Sequence, residues 1–202
     1  MQLQLENYKM TAIPKRIFHE DDYLMRELRS PEKHEYYLGE IFAMAGALLP
    51  HNEVASNLNS IVGPSLRGSG CKFLGSDMRV LVESTKFFTY PDGSIVCGKP
   101  VIVKRLGDHL TNPKVIFEVL SPSTASYDRK EKFELYKCLS SFVEYVLVDP
   151  SQYHVEVYMK RKNGRWAKRF TTNLTETVKL ESVGIELAMK DIYDGVTFPE
   201  AG

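Results

Sequence analysis

Apolar residues repeat along this chain with two different spacings, which predict a mixture of helices and strands. Residues 19–28 (HEDDYLMREL) start with acidic side chains and are followed by Ser30-Pro31, a pattern typical of a short helix and its end. The stretch EYYLGEIFAMAG has two strand-like runs around Leu38-Gly39 and predicts a hairpin. A second helix is expected from His51, and Gly63-Pro64 should weaken or end it.

The middle of the chain has the alternating pattern of strands. In CKFLGSDMRVLVE, apolar and polar residues alternate from Asp77 to Val82, which predicts a strand. FFTYPDGSIVCG contains two further strand-like pieces around Pro91-Asp92-Gly93.

The second half predicts a strand-helix-strand unit followed by a hairpin. Residues 115–120 form an apolar strand, a helix should cover about 126–139, and FVEYVLVDP is a buried strand. This order is typical of a βαβ unit in a mixed sheet. YHVEVYM and RWAKRF then flank Asn163-Gly164, a strong hairpin signal. We therefore expect one α/β domain over residues 1–202, with a mixed sheet, flanking helices and an antiparallel hairpin extension.

Charge and cysteine content limit the cellular compartments and the binding partners that the sequence suggests. Lys and Arg number 26, as do Asp and Glu, so a nucleic-acid partner would need a local basic surface. Cys71, Cys97 and Cys138 are scattered without a CxxC motif, so neither a zinc site nor a disulfide framework is expected. MQLQLENYKM lacks a signal-peptide core, and the apolar run at 41–49 is too short to span a bilayer. These features predict a soluble, cytoplasmic protein with reduced cysteines.

Glu118 is the one charged residue in the apolar strand at 115–120. A buried, unpaired carboxylate is costly, so Glu118 needs a cationic partner, a metal ion or a proton. Asp92 is a second carboxylate at a strand-like position, and Asp128, Lys132 and Tyr136 are spaced four apart on the following helix. That spacing places the three on one helix face, from which Lys132 could point towards both carboxylates. Two carboxylates and a lysine around Mg²⁺ would suit phosphodiester hydrolysis.

Each of these residues also has a purely structural interpretation. Asp92 lies in a P-D-G pattern, where aspartate often bonds only its own turn. Glu118 could pair with an arginine, and Asp128 could simply favour the helix dipole in the first turn. Lys132 could be solvated surface, and Tyr136 could belong to the core.

Three segments together resemble a known family. YPDGSIV, PKVIFEVLSPSTASYDRKEKFELY and VEYVLVDPSQYHVEVY are similar to the Uma-type family of restriction-endonuclease-like proteins, formerly a domain of unknown function. That family belongs to the PD-(D/E)XK nuclease superfamily. The resemblance extends upstream through EYYLGEIFAMAG and His51 and covers roughly residues 18–160. It implies a restriction-endonuclease-like fold and a metal-dependent endonuclease that hydrolyses phosphodiester bonds, with DNA as the expected substrate and the choice between DNA and RNA left open.

The resemblance also implies roles for individual residues. Asp92 and Glu118 would bind the metal, Mg²⁺ or alternatively Mn²⁺. The superfamily usually has lysine two residues after the second acid; here that position is Leu120, and Lys132 on the helix matches the displaced lysine. Gly93 departs from the apolar residue expected after the first aspartate, which puts the local strand geometry in question.

Three upstream residues match family positions. Glu35 could add a metal or water contact, and His51 could orient water or phosphate. Glu40 matches as well. Their alternatives are a hairpin charge for the glutamates and a helix-start position for the histidine.

The predicted hairpin supplies the candidate nucleic-acid surface. KRKNGRWAKRF has six basic residues and no acidic one, and Trp166 could stack on a base or a groove edge. Exposed hairpins are also commonly rich in Lys and Arg because such charges discourage edge pairing. From Thr171 onward six acidic residues oppose two basic ones, so this tail is expected to lie away from nucleic acid. The candidate contacts are Lys160, Arg161, Lys162, Arg165, Lys168 and Arg169.

Two alternatives to an active nuclease remain at this point. The chain could be a nucleic-acid-binding or interaction module that keeps the nuclease fold without catalysis, or a structural domain in which Glu118 is only salt-bridged. A homodimer is an option for an enzyme that cuts two strands.

Overall fold

The computed structural model describes residues 17–44 and 46–198, so the N-terminal segment considered above for a signal peptide lies outside the described residues. The strands, in chain order, are β1 (His34–Tyr37), β2 (Glu40–Ala43), β3 (Cys71–Gly75), β4 (Val80–Val82), β5 (Phe87–Thr89), β6 (Gly93–Cys97), β7 (Ile102–Lys104), β8 (Asp108–Leu110), β9 (Val115–Val119), β10 (Glu144–Asp149), β11 (His154–Lys160), β12 (Trp166–Thr171), β13 (Thr177–Leu180) and β14 (Ile185–Ala188). The helices are α1 (Glu20–Glu27), α2 (Leu49–Ser65), α3 (Ala125–Arg129), α4 (Glu131–Tyr136) and α5 (Met189–Ile192).

The strands form two large sheets and a separate hairpin. One sheet has the order β2-β1-β5-β4-β8-β7, and the other has the order β12-β11-β10-β9-β6-β3. In the second sheet β9 and β10 are parallel, whereas β6 pairs with β9 and β11 pairs with β10 in antiparallel fashion. The predicted mixed sheet, βαβ unit and hairpin extension are thus confirmed, although the strands divide between two sheets. We call the second of these the central sheet.

Helices and the other sheet cover the two faces of the central sheet. On one face α2, α5 and the β13–β14 hairpin pack against alternate residues such as Val115, Phe117 and Val146. On the opposite face α4 and strands of the other sheet pack against Ile116 and Leu147. Because side chains alternate along a strand, residues two apart on β9 face the same layer. Glu118 therefore lies on the α4 side of the sheet.

Two predicted elements have different bounds in the structure. Helix α2 begins at Leu49 and continues through Gly63-Pro64, since Val62 and Leu66 at its end are buried in the core. The strand predicted over 77–82 is shorter: β4 begins at Val80, while CKFLG forms a strand in the other sheet.

The helix predicted over 126–139 is broken at Lys130, which separates α3 from α4. In an unbroken helix the backbone carbonyl of Asp128 would accept a hydrogen bond from residue 132. Here the hydroxyl group of Tyr145, on β10, donates to that carbonyl at 3.1 Å. A side chain from β10 therefore occupies the carbonyl group that would otherwise accept a hydrogen bond within the helix, and the helix is interrupted at this point.

The expectation of unpaired cysteines is wrong for two of the three. Cys71 and Cys97 lie directly opposite each other on β3 and β6, and their sulfur atoms are bonded. Cys138 is free and exposed. The sequence separation of 26 residues hid this pairing, because only the register of the strands brings the two cysteines together.

Within residues 17–44 and 46–198, none of the helices is both long enough and apolar enough to span a bilayer.

The disulfide generates a direct prediction. Thiol labelling of the unfolded chain without reductant should modify Cys138 alone, and labelling after reduction should modify all three cysteines. Replacing both Cys71 and Cys97 by Ser should lower the free energy of unfolding by about 2–4 kcal/mol, the usual effect of losing a disulfide. Cys138→Ser, at an exposed position, should change it by less than about 0.5 kcal/mol. Labelling of three thiols without reductant would contradict the pairing.

Candidate active site

The pairing of β6 with β9 brings Asp92 and Glu118 together. Gly93 pairs with Phe117 in antiparallel register, so the preceding Asp92 and the following Glu118 meet at the end of the ladder. The backbone N–H of Val119 donates to Asp92 Oδ2 at 2.7 Å. Asp92 therefore accepts a hydrogen bond from a residue of β9 that is 27 positions away in the sequence, a contact that the turn interpretation does not account for.

The surroundings of Gly93 explain why glycine stands where the family pattern has an apolar residue. A Cβ atom at this position would lie 2.4 Å from the ring of Phe73 on the neighbouring strand β3. The ring of Phe73 takes the space that an apolar side chain would fill, and it packs edge-on against Phe117. The strand geometry after Asp92 is consequently regular, with Gly93 paired on both sides.

A buried lysine joins the carboxylates of three elements. Lys132 of α4 is 4 % exposed, and its Nζ lies 2.9 Å from Glu118 Oε1 and 2.9 Å from Glu35 Oε1. The same Nζ lies 3.7 Å from Asp128 Oδ1. Lys132 is therefore not a solvated surface residue. The partner of Glu118 is this lysine, not an arginine.

Glu35 reaches the cluster from β1 of the other sheet. Besides Lys132, it accepts hydrogen bonds from the hydroxyl groups of Thr89 and Tyr127. Because Glu35 is buried, its place on the predicted hairpin is not that of a solvent-exposed charge. The sequence predicted Glu35 as a candidate, but Thr89 and Tyr127 carry no local signal of this contact.

Glu118 is the most strongly perturbed acid of the cluster. Burial raises the pKa of Glu118 to about 8; the positive charge of Lys132 opposes this rise, and the negative charges of Asp128 and Asp92 add to it. Tyr136 donates a hydrogen bond to Glu118 Oε1 at 2.7 Å. Tyr136 is thus both a core residue and a direct partner of the central carboxylate.

Asp128 belongs to the same cluster. It is buried, and burial raises its pKa above the ordinary value, an effect that the charge of Lys132 opposes. The helix-dipole interpretation of Asp128 is insufficient, because its carboxylate faces Lys132 and is not directed at solvent. The spacing of four residues was the available signal for this contact.

His51 approaches Asp92 from the start of α2. Its Nε2 lies 3.6 Å from Asp92 Oδ2. Burial opposes protonation of His51, but hydrogen bonding and charge interaction with Asp92 raise its pKa above the ordinary value. Glu40, at the beginning of β2, is half-buried and pairs with Tyr37 across the hairpin. His51 is therefore part of the site.

The carboxylates of Asp92 and Glu118 suit a hard cation that takes few protein ligands. The described contacts of Asp92 fall on Oδ2 and those of Glu118 on Oε1, which leaves one oxygen of each for a metal ion. Within the described residues no group of three or more His, Cys, Asp or Glu side chains is arranged to hold a metal. Mg²⁺ typically takes one or two protein carboxylates and completes its shell with water and substrate phosphate, so two carboxylates fit this ion.

The basic hairpin is partly neutralised by acids of the same chain. Lys168 lies 2.7 Å from Glu156, and Arg169 pairs with Glu181, which Arg161 also approaches at 3.9 Å. The remaining candidates are Lys160, which is half-buried, and Lys162 and Arg165, which are exposed near the turn at Asn163-Gly164.

Two contacts bear on the expectations for this region. Trp166 is half-buried, and its ring packs against Phe133 and Phe142 at centroid distances of 5.0 and 5.2 Å, so part of its surface is already covered by the protein. Glu181, which belongs to the acidic tail, pairs with Arg169 and lies 3.9 Å from Arg161 of the basic hairpin.

Comparison with known proteins assigns the sequence to a family. The model of the Uma2 family, described as "putative restriction endonuclease", matches residues 20–190. Two proteins of Synechocystis sp. (strain ATCC 27184 / PCC 6803 / Kazusa), both named uncharacterized, are similar over most of their length. Protein slr1290 is 33 % identical over 178 residues, covering 88 % of this chain and 92 % of the relative. Protein sll1609 is 34 % identical over 145 residues, covering 72 % and 82 %, respectively.

A solved structure shares the fold. It is the crystal structure of a "putative nuclease belonging to DUF820" from Anabaena variabilis ATCC 29413. The TM-score is 0.68 at 19 % identity, and the match covers 86 % of this chain and 98 % of that chain. The nuclease-like fold predicted from the sequence is thereby confirmed.

The pKa of Glu118 predicts a pH-dependent effect of Glu118→Gln on the metal-free protein. Between the ordinary pKa of 4.5 and the folded-state value of about 8, the folded state keeps a proton that the unfolded state has lost. The stability of the wild type should therefore fall as pH rises through this window. Glutamine does not titrate, so the melting temperature of Glu118→Gln minus that of the wild type should increase from pH 5 to pH 9.

Glu156→Gln is the matched control for this measurement. Burial raises the pKa of Glu156, but hydrogen bonds from Lys168, Arg129 and Tyr158 outweigh this effect, and the resulting pKa is about 2. Glu156 is thus ionised throughout the pH range tested, and its replacement should destabilise the protein by a similar amount at pH 5 and pH 9. A constant difference between Glu118→Gln and the wild type would show that Glu118 does not carry the raised pKa.

Proposed function

The chain belongs to the Uma2 family of restriction-endonuclease-like proteins, and from this premise we propose that it is a metal-dependent endonuclease that hydrolyses phosphodiester bonds in DNA. Asp92 and Glu118 are the proposed metal ligands, and Mg²⁺ is the proposed ion, with Mn²⁺ as a substitute. Lys132, Glu35 and His51 complete the proposed catalytic group.

The charge of the buried cluster is the observation that carries the proposal. Glu35, Asp92, Glu118 and Asp128 are four carboxylates, and Lys132 supplies a single fixed positive charge among them. Burial of uncompensated negative charge is costly unless a further cation or a proton joins the group. A divalent cation between Asp92 and Glu118 would compensate it, and would displace the proton that burial favours on Glu118.

The proposed roles of the metal ion and of Lys132 follow from these contacts. When bound, the metal would polarise the phosphate and lower the pKa of a coordinated water. Burial lowers the pKa of Lys132, but the carboxylates around it raise the pKa well above the ordinary value, so Lys132 stays charged. A charged lysine cannot accept a proton. Its role would be to orient water and to stabilise the negative charge that develops on phosphate.

His51 and Glu35 would act on either side of this centre. His51, next to Asp92, is suited to donate a hydrogen bond from its protonated ring to a phosphate oxygen or a water. Glu35 holds Lys132 from the other sheet and thereby limits the positions that the ammonium group can take.

The basic hairpin is the proposed DNA contact, with unequal contributions from its residues. Lys162 and Arg165 lie exposed near its turn and are the strongest candidates for phosphate contacts, and Lys160 lies beside them. Arg161, Lys168 and Arg169 already have acidic partners, so each would have to exchange a protein carboxylate for a phosphate.

The proposal extends to domain organisation, assembly and location. One nuclease domain would occupy residues 1–202, and a homodimer would supply a second active site for the second strand of a duplex. The proposed location is the cytoplasm. The disulfide between Cys71 and Cys97 opposes the expectation of reduced cysteines in that compartment, and the thiol labelling described above bears on this point.

Cleavage of supercoiled plasmid tests the proposed activity. Purified protein with Mg²⁺ or Mn²⁺ should nick the plasmid, EDTA should prevent nicking, and Glu118→Ala should reduce the rate by at least about 100-fold because it removes a metal ligand. Asp149→Asn is the matched control. It changes a carboxylate at the end of the adjacent strand, where the partners are Ser151 and Gln152, and it should leave the rate nearly unchanged.

Equal nicking by the wild type and Glu118→Ala would show either a contaminant or a different active site. DNA binding without cleavage in either metal would instead favour the binding module that retains the nuclease fold.

The hairpin makes a separate prediction about DNA affinity. Measured in the Glu118→Ala background, so that DNA stays intact, the double variant Lys162→Ala/Arg165→Ala should bind more weakly. The slope of log Kd against log salt should become shallower by about 2, close to the contribution of two phosphate contacts. Arg67→Ala/Lys190→Ala removes two exposed basic residues outside the hairpin and should leave the slope unchanged. An unchanged slope in the hairpin variant would place the DNA elsewhere.

A further inference from the structure

A second buried carboxylate lies on the same face of the central sheet as Glu118. Glu156 of β11 is 3 % exposed, and two cations and a hydroxyl group converge on it. Arg129 Nε donates to it at 2.9 Å, Lys168 Nζ lies 2.7 Å away, and the Tyr158 hydroxyl donates at 2.8 Å. Its position in the sheet was not predicted from the sequence.

The register of the sheet aligns this carboxylate with the proposed active site. Leu147 of β10 pairs with Glu118 on one side and with Glu156 on the other. Directly paired residues project to the same face of a sheet. Glu118 on β9 and Glu156 on β11 therefore lie on opposite sides of Leu147, and their side chains project to the same face of the sheet. Helix α3 packs on this face.

Helix α3 depends on contacts outside itself. It has five residues, ends at the break at Lys130, and is far shorter than helices that are stable alone. Its described anchors to the central sheet are the bond between Arg129 and Glu156 and the bond from the Tyr145 hydroxyl to the Asp128 carbonyl. Arg129 is adjacent in sequence to Asp128, so the position of one fixes the position of the other.

We propose that Glu156 is a positioning residue of the active site: it holds α3 through Arg129 and so keeps Asp128 directed at Lys132. Lys168 completes this anchor from β12, and its main role is then structural, with DNA contact secondary. The inference rests on the proposed nuclease function, because its consequence is measured at the catalytic centre.

The electrostatics of Glu156 support a permanent anchor. Its carboxylate remains ionised at neutral pH, since its cationic partners outweigh the effect of burial. Glutamine at this position would keep the shape but lose the charge that two cations neutralise. Arg129 and Lys168 would then be held less firmly, and α3 would lose one of its two described hydrogen bonds to the central sheet.

Glu144 provides a matched control on the neighbouring strand β10. It is also fully buried, and it accepts hydrogen bonds from the backbone N–H groups of Glu181 and Ser182 and from the Ser182 hydroxyl. Those partners lie in the turn between β13 and β14, and Arg169 of β12 lies 3.7 Å from Glu144 Oε1. None of the described contacts of Glu144 involves α3. Glu144→Gln therefore leaves a buried hydrogen-bond donor without its acceptor, which should lower stability by a similar amount, but it does not disturb the bond between Glu156 and Arg129.

The test compares Glu156→Gln with Glu144→Gln in the plasmid assay and by thermal unfolding. Both variants should lower the melting temperature, whereas Glu156→Gln alone should reduce kcat, by about 10-fold or more, without raising KM. Amide hydrogen exchange over residues 125–132 should accelerate in Glu156→Gln and stay unchanged in Glu144→Gln. Arg129→Ala should reproduce the loss of kcat, and Arg129→Lys should restore part of it because it keeps the charge.

The possible failures are distinguishable. If the wild type cleaves and both glutamine variants retain the same kcat, or if exchange over 125–132 is unchanged in Glu156→Gln, the positioning role is wrong and the nuclease proposal stands. If the wild type cleaves no nucleic acid with any divalent metal, the proposed function fails, and the positioning role fails with it.

Discussion

The buried ammonium group of Lys132 is the contact on which the centre of this molecule depends. It lies within 4 Å of carboxylates from β1, β9 and α3, and therefore connects both large sheets with the two short helices. The layers around it are also joined by apolar packing, which is not directional. An ion-pair group with fixed donors and acceptors specifies where α4 must lie relative to β9, because any other position would leave several buried charges without partners.

The same group is not electrostatically balanced by the chain alone. Lys132 offsets part of the negative charge, yet the pKa of Glu118 remains raised to about 8. A purely structural ion pair would be expected to lower the pKa of its acid, as happens at Glu156, where it is lowered to about 2. The two buried glutamates thus differ in kind. The partners of Glu156 compensate its charge, whereas those of Glu118 leave its pKa raised, so that a cation or a proton would stabilise it. Strongly perturbed pKa values cluster at functional sites.

The elements that the sequence predicted well are those whose cause is local. The turn residues Leu38-Gly39 and Asn163-Gly164 and the alternation around them suffice for both hairpins, and the apolar run at 115–119 suffices for its strand. The residues that were missed depend on distant partners. At the break at Lys130 the hydroxyl group of Tyr145 bonds to the carbonyl of Asp128, and the pairing of Cys71 with Cys97 depends on the register of two strands. Asp92 is an intermediate case. Its P-D-G motif predicts a turn residue, and only the register of β6 and β9 brings its carboxylate to the backbone N–H of Val119.

The hairpin shows why a run of basic residues in a sequence is not yet a basic surface. Six Lys and Arg residues lie within 160–170, but Lys168 is neutralised by Glu156 from the adjacent strand, and Arg169 and Arg161 are approached by Glu181 from the tail. Both acids come from outside the window in which the charge was counted. The charge available to a phosphate backbone is therefore concentrated near the turn, at Lys162 and Arg165, and the basic residues nearer the sheet serve to hold the protein's own carboxylates. A nucleic acid bound at the turn would leave the anchor at Glu156 intact, so the binding surface and the support of the active site can share one hairpin without competing for the same charges.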